Sequence, residues 1–480
     1  MFARTFHPDE ANQAFTTGRL LETGRYEYRP DDHHGPTLYY AAAALQKATG
    51  HDTLASMDGT VLRCTPLLFA VLALTFGFLT VRKLVKPAVG KLGGWLVPVL
   101  FAILLGTAPL FVFFATDFIQ EMLLACFTMM MVWAGVGYFH SRTACHEPHT
   151  AQRKPGTWAL LFGIAGGLAF ATKETSILAF AAAAFAGIPF LAMRPRGMNL
   201  EGRDIALAIA GFILTAVLFF SSFAANWQGV YNAFIAAPLS YLGRAAGSAA
   251  SAGAADHVHP WWQYFRWLFF ANWHFSALPI LALFLVTFSR RSFVHFYGLA
   301  LFALYSFIPY KTPWCALQLL VPLALAPFLV PWTRTRSVVA LPLVALSLAA
   351  NAIGDVALVC NPDSKEIPYN YASASPEVKQ LAAVVATAMD AAPSHESPFI
   401  AVALPPADTW PFPWYNRPYE PQTGYWTSFD DLKRLAAGGV KPTVVIVPMT
   451  EGHLVQPLFP HLKNTKRFYM RPGVRVRVFW

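Results

Sequence analysis

Residues 94–139 read GWLVPVLFAILLGTAPLFVFFATDFIQEMLLACFTMMMVWAGVGYF, and their reading decides the fold. They hold two apolar windows, 94–114 and 117–139. Each approaches the roughly 20 apolar residues that carry a helix across a bilayer core. Hydrophobicity runs all round both windows, so neither is the one-sided helix of a soluble surface. The only charged side chains in the stretch are Asp117 and Glu121. Spaced i and i+4 at the start of the second window, they predict two carboxylates on one helix face.

Working outward, eight further windows have the same character: 61–81, 158–172, 175–193, 204–225, 276–289, 293–308, 315–332 and 338–357. The sequence therefore predicts a polytopic α-helical membrane protein with about ten transmembrane helices. Composition agrees, with 55% hydrophobic and 13% charged residues against roughly 25% charged in soluble domains. After residue 357 the apolar runs shrink to strand length.

The net charge of +10 would suit a nucleic-acid partner, but its placement excludes one. Arg82, Lys83, Lys86 and Lys91 share one inter-span loop, Arg142, Arg153 and Lys154 another. Arg194, Arg196 and Arg203 share a third, Arg290 and Arg291 a fourth, Arg334 and Arg336 a fifth. Every second loop is basic. Solubilising charge would explain basic loops but not their alternation, which is the positive-inside pattern. It predicts these loops on the cytoplasmic side of the cell membrane, and residues 1–60, 226–275, the turn 310–314 and the tail 358–480 outside. Cys64, Cys126, Cys145, Cys315 and Cys360 form no CxxC pair, so neither a zinc ribbon nor a disulfide framework is indicated.

Three regions follow. Residues 1–60 form an outer segment with short helices at Ala11–Thr23 and Pro36–Thr49. Residues 61–357 form the membrane domain. Its longest outer loop contains a Gly-, Ala- and Ser-rich linker at 243–255 and an aromatic run from His259 to Phe270. That run reads as an interfacial helix, serving either as an anchor or as a substrate contact. Residues 358–480 read as an outer α/β domain. Ser375-Pro376-Glu377 opens a helix reaching about Asp390, and Ser428–Asp431 caps another at Leu432–Ala437. Strands are predicted at Pro398–Leu404, Pro442–Val447 and Val474–Trp480.

Acids and imidazoles gather beside the spans. Asp9-Glu10 offers a general base near a low-dielectric face; alternatively Asp9 is the N-cap of the first helix. His7, Asp31, Asp32, His33 and His34 can hydrogen-bond a sugar or phosphate, and are also the residue types of a divalent-metal site. Lys173, beside Glu174, and Lys311 suit a phosphate. Asp117 and Glu121 suit an acceptor or a cation. The alternative for these charges is a set of structural ion pairs, such as Lys173 with Asp117.

These residues in this order resemble the membrane-embedded GT-C glycosyltransferases, which include the protein O-mannosyltransferases and the aminoarabinose transferases of lipid A. The similarity is nearest to the flippase-activity-associated subfamily of archaeal-type glycosylation. It rests on His7-Pro8-Asp9-Glu10, Leu21-Glu22-Thr23-Gly24, His34-Gly35-Pro36 with Thr37-Leu38-Tyr39-Tyr40, Ile119-Gln120-Glu121-Met122, Thr172-Lys173-Glu174, Tyr310-Lys311-Thr312-Pro313-Trp314 and Trp410-Pro411-Phe412-Pro413-Trp414-Tyr415. Two departures stand out. The family begins with a span before the acidic loop, whereas Met1 leads directly into polar sequence; the resemblance implies such a span upstream. Where the aminoarabinose transferases carry Lys before Pro-Pro-Leu-Tyr, this chain has His34-Gly35.

The resemblance implies a GT-C fold and transfer of a hexose or pentose from a polyprenyl-phosphate donor, with inversion, to a protein, glycan or lipid acceptor. Asp9 would be the base and Glu10 a second acid. Lys173, Lys311 and His34 would hold the donor phosphate, and Asp117, Glu121, His33 and Tyr39 would orient the acceptor or a cation. No cofactor is required beyond a possible divalent metal. The alternative is a non-catalytic or flippase-associated protein handling lipid-linked sugars, for which charges in mid-span and broken helices would be expected. The crowding of charge at one face favours the enzyme.

Overall fold

The computed structural model describes every residue except 1, 3, 30–33, 144–153, 193–199, 246–256, 372 and 393–396. Most of the Gly-, Ala- and Ser-rich linker lies outside the described residues. The chain folds as two compact units. A helical unit takes in Arg25–Ala42 and Arg63–Tyr369; a second unit takes in Phe2–Gly24, Ala43–Leu62 and Asn370–Trp480. The first sixty residues are thus divided between the two.

In the helical unit every apolar window falls on a helix. Gly59–Val85, Glu121–Arg142, Gly202–Phe220 and Arg334–Cys360 are long and apolar enough to cross a membrane by length and composition. Gly94–Gly106, Pro155–Phe170, Ser176–Pro189, Phe293–Phe307 and Pro313–Leu329 are apolar but shorter. The window at 276–289 forms only the nine-residue helix Leu278–Val286.

The loop predicted at Arg82–Lys91 is instead helical, within a continuous run Gly59–Gly106. That run nevertheless doubles back. Arg82 lies 3.8 Å from the Trp95 ring, whereas thirteen residues of straight helix would span about 20 Å. The two windows therefore pack as a hairpin, with helical hydrogen bonding carried through the turn. Close backbone approach recurs between Pro155–Phe170 and Gly202–Phe220. A Cβ on Gly163 would lie 1.9 Å from the Ala208 carbonyl oxygen. Small residues at such crossings let helices gain van der Waals contact where lipid supplies no hydrophobic drive.

The second unit is built on a five-stranded sheet: β1 Ile400–Ala403, β2 Thr423–Trp426, β3 Val444–Pro448, β4 Thr465–Arg471 and β5 Val474–Phe479. The order is β2-β1-β3-β5-β4. β1 pairs in parallel with β2 and β3, while β5 pairs antiparallel with β3 and β4. β1 is buried throughout, as is most of β3, which explains their unbroken apolar runs. Val378, Leu381 and Val385 of the helix Glu377–Asp390 cover one face. Phe429 and Leu432 of the helix Phe429–Ala437 cover the other. The predicted box at Ser428 is not formed: its hydroxyl donates to Asp431 Oδ2 at 2.9 Å, and no side-chain cap bond is made.

The first helix, Pro8–Thr23, corrects the capping alternative for Asp9. Its N-cap is His7. Pro8 takes the first helical position, where its missing N–H costs nothing. His7 Nδ1 accepts from the Asp9 amide at 3.1 Å, and Glu10 Oε2 accepts from the His7 amide at 3.0 Å. This is a capping box with histidine in the usual Ser/Thr place. The run 410–415 seats this helix. Trp414 stacks on Phe6 at 4.9 Å, Tyr415 Oη accepts from the Phe6 amide at 2.8 Å, and Trp410 meets Phe15 edge-on at 5.8 Å.

Candidate functional site

Five segments of the helical unit converge: 26–29, 34–40, 117–121, 172–176 and 308–318. The turn at 171–175 joins the helices Pro155–Phe170 and Ser176–Ala192. Residues 35–37 lie against it, with the Gly35 amide bonded to Thr172 O at 3.1 Å and the Thr37 amide to Ala171 O at 3.2 Å. The hydroxyls of Thr37 and Thr172 are 2.8 Å apart. A Cβ at residue 35 would stand 2.2 Å from the Ala171 oxygen, so this approach requires glycine.

The contact places His34 against Glu174. Glu174 accepts from Tyr28 Oη at 2.8 Å and from His34 Nδ1 at 2.9 Å. Burial pushes the Glu174 pKa up, but the His34 charge and hydrogen bond, with help from Tyr28, pull it down to about 2. The carboxylate is therefore ionised and orients the imidazole, leaving Nε2 without a partner among the described residues. Tyr26 donates its hydroxyl to the His34 carbonyl and stacks on Tyr39 at 4.9 Å. Tyr39 is fully buried, its hydroxyl accepting from Gln120 Nε2 at 3.3 Å.

Lys173 pairs with Glu121, not with Asp117; their side chains are 5% and 1% exposed. Burial disfavours the ammonium, but the charge and hydrogen bond of Glu121, together with Cys315 and Glu174, raise the Lys173 pKa. The shared helix face predicted for Asp117 and Glu121 does not form. The helix begins at Glu121, which puts that carboxylate at the favourable end of the dipole. Asp117, a common turn residue, is buried in the non-helical turn before it. Gln318 Nε2 donates to Glu121 O at 2.9 Å, and the Lys173 ammonium lies 5.6 Å from the Trp314 ring.

Lys311 is placed differently. Its backbone amide bonds to His257 O at 2.8 Å, beside a β-bridge from Val258 to Tyr310. The residue is 1% exposed, and its ammonium donates to the Ile308 carbonyl. Among the described residues no carboxylate lies within ion-pair distance of it. Burial accordingly lowers its pKa. Burial, then the Lys311 charge, lowers that of His259.

Asp9 and Glu10 belong to the second unit. The Asp9 side chain is 46% exposed, 3.7 Å from His7 Nδ1. Glu10 is fully buried between its cap and Arg4, 3.8 Å away. His33, Asp31 and Asp32 lie outside the described residues. Among the described residues no three His, Cys, Asp or Glu side chains are placed to hold a metal. Sequence reasoning missed Tyr28 and Gln318, and did not give Glu174 a role of its own. The adjacency of Glu174 to Lys173 was the available signal; Tyr28 and Gln318 carried none.

No protein-family model matches the sequence, and no curated protein is similar to it at the level of sequence. Solved structures are similar in fold. The structure of ArnT from Cupriavidus metallidurans bound to undecaprenyl phosphate matches with a TM-score of 0.66 at 14% identity, over 99% of this chain and 94% of that one. AglB, the oligosaccharyltransferase of Archaeoglobus fulgidus, in complex with an inhibitory peptide and a dolichol-phosphate, matches with a TM-score of 0.55 at 12% identity, over 94% of this chain and 66% of that one. The fold of this chain is therefore similar to the folds of ArnT and of the AglB oligosaccharyltransferase.

Proposed function

We propose that the protein transfers a sugar from a polyprenyl-phosphate carrier to an acceptor hydroxyl at the outer face of the cell membrane. The observation that carries this reading is Lys311, a buried ammonium with no counter-ion among the described residues. Ionisable groups at membrane depth normally face a partner or a cavity, and a lipid phosphate would supply the missing negative charge. The structures of similar fold, one with undecaprenyl phosphate and one with a dolichol-phosphate, support the same ligand class. Lys173 is already neutralised by Glu121, so in this reading it positions the site rather than gripping phosphate. His34, held through Nδ1, offers Nε2 to the donor.

In the reaction the acceptor oxygen attacks the anomeric carbon. The bond from that carbon to the phosphate oxygen breaks, polyprenyl phosphate leaves with the electron pair, and the acceptor proton passes to a base. Asp9, whose carboxylate is open to solvent, is the proposed base. Glu10, enclosed by its cap and Arg4, is not proposed as a second acid. The basic loops support the orientation: the segment 1–60 and the α/β domain 358–480 outside the inner membrane, with the membrane domain taken as 61–357. Strong labelling of a cysteine introduced at Val89 by an impermeant reagent in intact cells would overturn that orientation.

Binding of radiolabelled undecaprenyl phosphate to the purified protein tests the ligand. Lys311→Met should weaken it at least tenfold. It should also leave the ligand-free melting temperature unchanged or higher, because an uncompensated buried charge is removed. Undiminished binding would refute the assignment.

A further inference from the structure

The second unit contains an open cleft of about 240 Å³ that none of the roles above uses. Its floor is the sheet. Leu404 directly follows β1, and Trp426 and Thr427 end and follow β2; all three line it. β1 and β2 are parallel neighbours, so the cleft lies at the carboxyl ends of parallel strands, where open α/β sheets bind ligands. Phe15 and Arg19 of the first helix also line it.

The lining chemistry is specific. Trp410, Trp426 and Tyr425 present aromatic surface, and Tyr425 is 38% exposed. Glu420 accepts from Tyr425 Oη through Oε2 at 3.0 Å, which leaves Oε1 without a partner among the described residues. Burial raises the Glu420 pKa, partly offset by the Tyr425 hydrogen bond and the Arg19 charge. The Arg19 guanidinium stacks over the Phe15 ring at 5.5 Å and has no hydrogen-bond acceptor among the described residues. Aromatic faces beside a carboxylate and a guanidinium fork suit a molecule with apolar C–H faces and a rim of hydroxyls. A pyranose ring has that form. A purely apolar ligand would desolvate both charges without offering either a hydrogen bond.

We infer that this cleft binds a sugar ring of the acceptor, and that the acceptor is an extended glycan. The inference rests on the transferase reading for the word acceptor, but the saccharide site stands on the cleft itself. The helix that brings Arg19 to the cleft carries Asp9 in its first turn. Ten residues of helix separate them by about 15 Å. A ring docked at Arg19 and Glu420 is therefore a distal unit of the chain, several bonds removed from the hydroxyl that reacts at Asp9.

Saccharide binding to full-length protein in lipid nanodiscs tests this, read by saturation-transfer NMR and tryptophan fluorescence. The probes are mannotriose and chitotriose at up to about 10 mM, which reaches weak affinities. At least one trisaccharide should bind. Glu420→Gln should raise its dissociation constant at least tenfold; Arg19→Gln gives a second reading should the first variant fold poorly. Absence of binding to the wild type, or binding unchanged in a folded variant, would overturn the site. Donor turnover by the same wild-type preparation separates the two ideas. Turnover without saccharide binding sinks this inference and leaves the transferase reading. Saccharide binding sensitive to the variants, without turnover of any donor, does the reverse.

Discussion

Replacing Glu174 by Gln removes the charge from the node that holds His34. The carboxylate is buried and accepts from Tyr28 and His34, and its pKa falls from 4.5 to about 2. A folded-state pKa below the unfolded one means stability that is fully present above about pH 4.5 and lost as pH falls towards 2. At neutral pH the displacement corresponds to about 3 kcal/mol. Glu174→Gln should therefore unfold about 3 kcal/mol more easily than wild type near pH 7. The margin should narrow steadily below about pH 4.5 and nearly close by about pH 2.5. Chemical denaturation in detergent, followed by intrinsic fluorescence across that pH range, measures it. A margin that is absent near pH 7, or that stays constant down to about pH 2.5, would refute the reasoning. His34→Ala should be strongly non-additive with Glu174→Gln, since the two act through one contact.

Glu121→Gln leaves the Lys173 ammonium buried without its partner and should cost about 3–5 kcal/mol; Glu121→Gln with Lys173→Met should recover much of that in the same denaturation assay. Gly35→Ala forces a Cβ against the Ala171 carbonyl and should lower the melting temperature and release Thr37 from Thr172, seen as faster amide exchange at residues 35–37. Asp9→Asn should reduce sugar transfer by about 10²–10⁴-fold with an unchanged melting temperature, because the N-cap of that helix is His7; a parallel loss of stability would reassign Asp9 to structure.

The membrane class was legible because an apolar window states its own environment: all ten windows are helical. Their lengths were less legible, since a helix such as Leu278–Val286 ends by local packing that hydropathy does not encode. In the α/β domain, β1, β3 and β5 were readable as apolar or alternating runs. β2, Thr423-Gly424-Tyr425-Trp426, is a four-residue edge strand without a core-facing pattern; β4 opens with the exposed Thr465, Lys466 and Arg467, and its core-facing alternation is only the short pair Phe468 and Met470. The site residues were found as types but not as pairs. Lys173 with Asp117 is only one of the structural pairs that charges on the same outer side allow. The choice of Glu121 depends on where the helix begins, which spacing alone does not settle. His7 was overlooked as a cap because Ser, Thr, Asn and Asp usually fill that place.

The most direct test of the central claim is turnover by purified wild-type protein in lipid, supplied with a panel of radiolabelled polyprenyl-phosphate sugars and glycan, peptide and lipid acceptors. The account predicts sugar transfer from at least one donor, with release of polyprenyl phosphate and loss of most activity in Lys311→Met. Absence of transfer from every donor, by protein that remains folded and binds undecaprenyl phosphate, would contradict it and leave a non-catalytic handler of lipid-linked sugars.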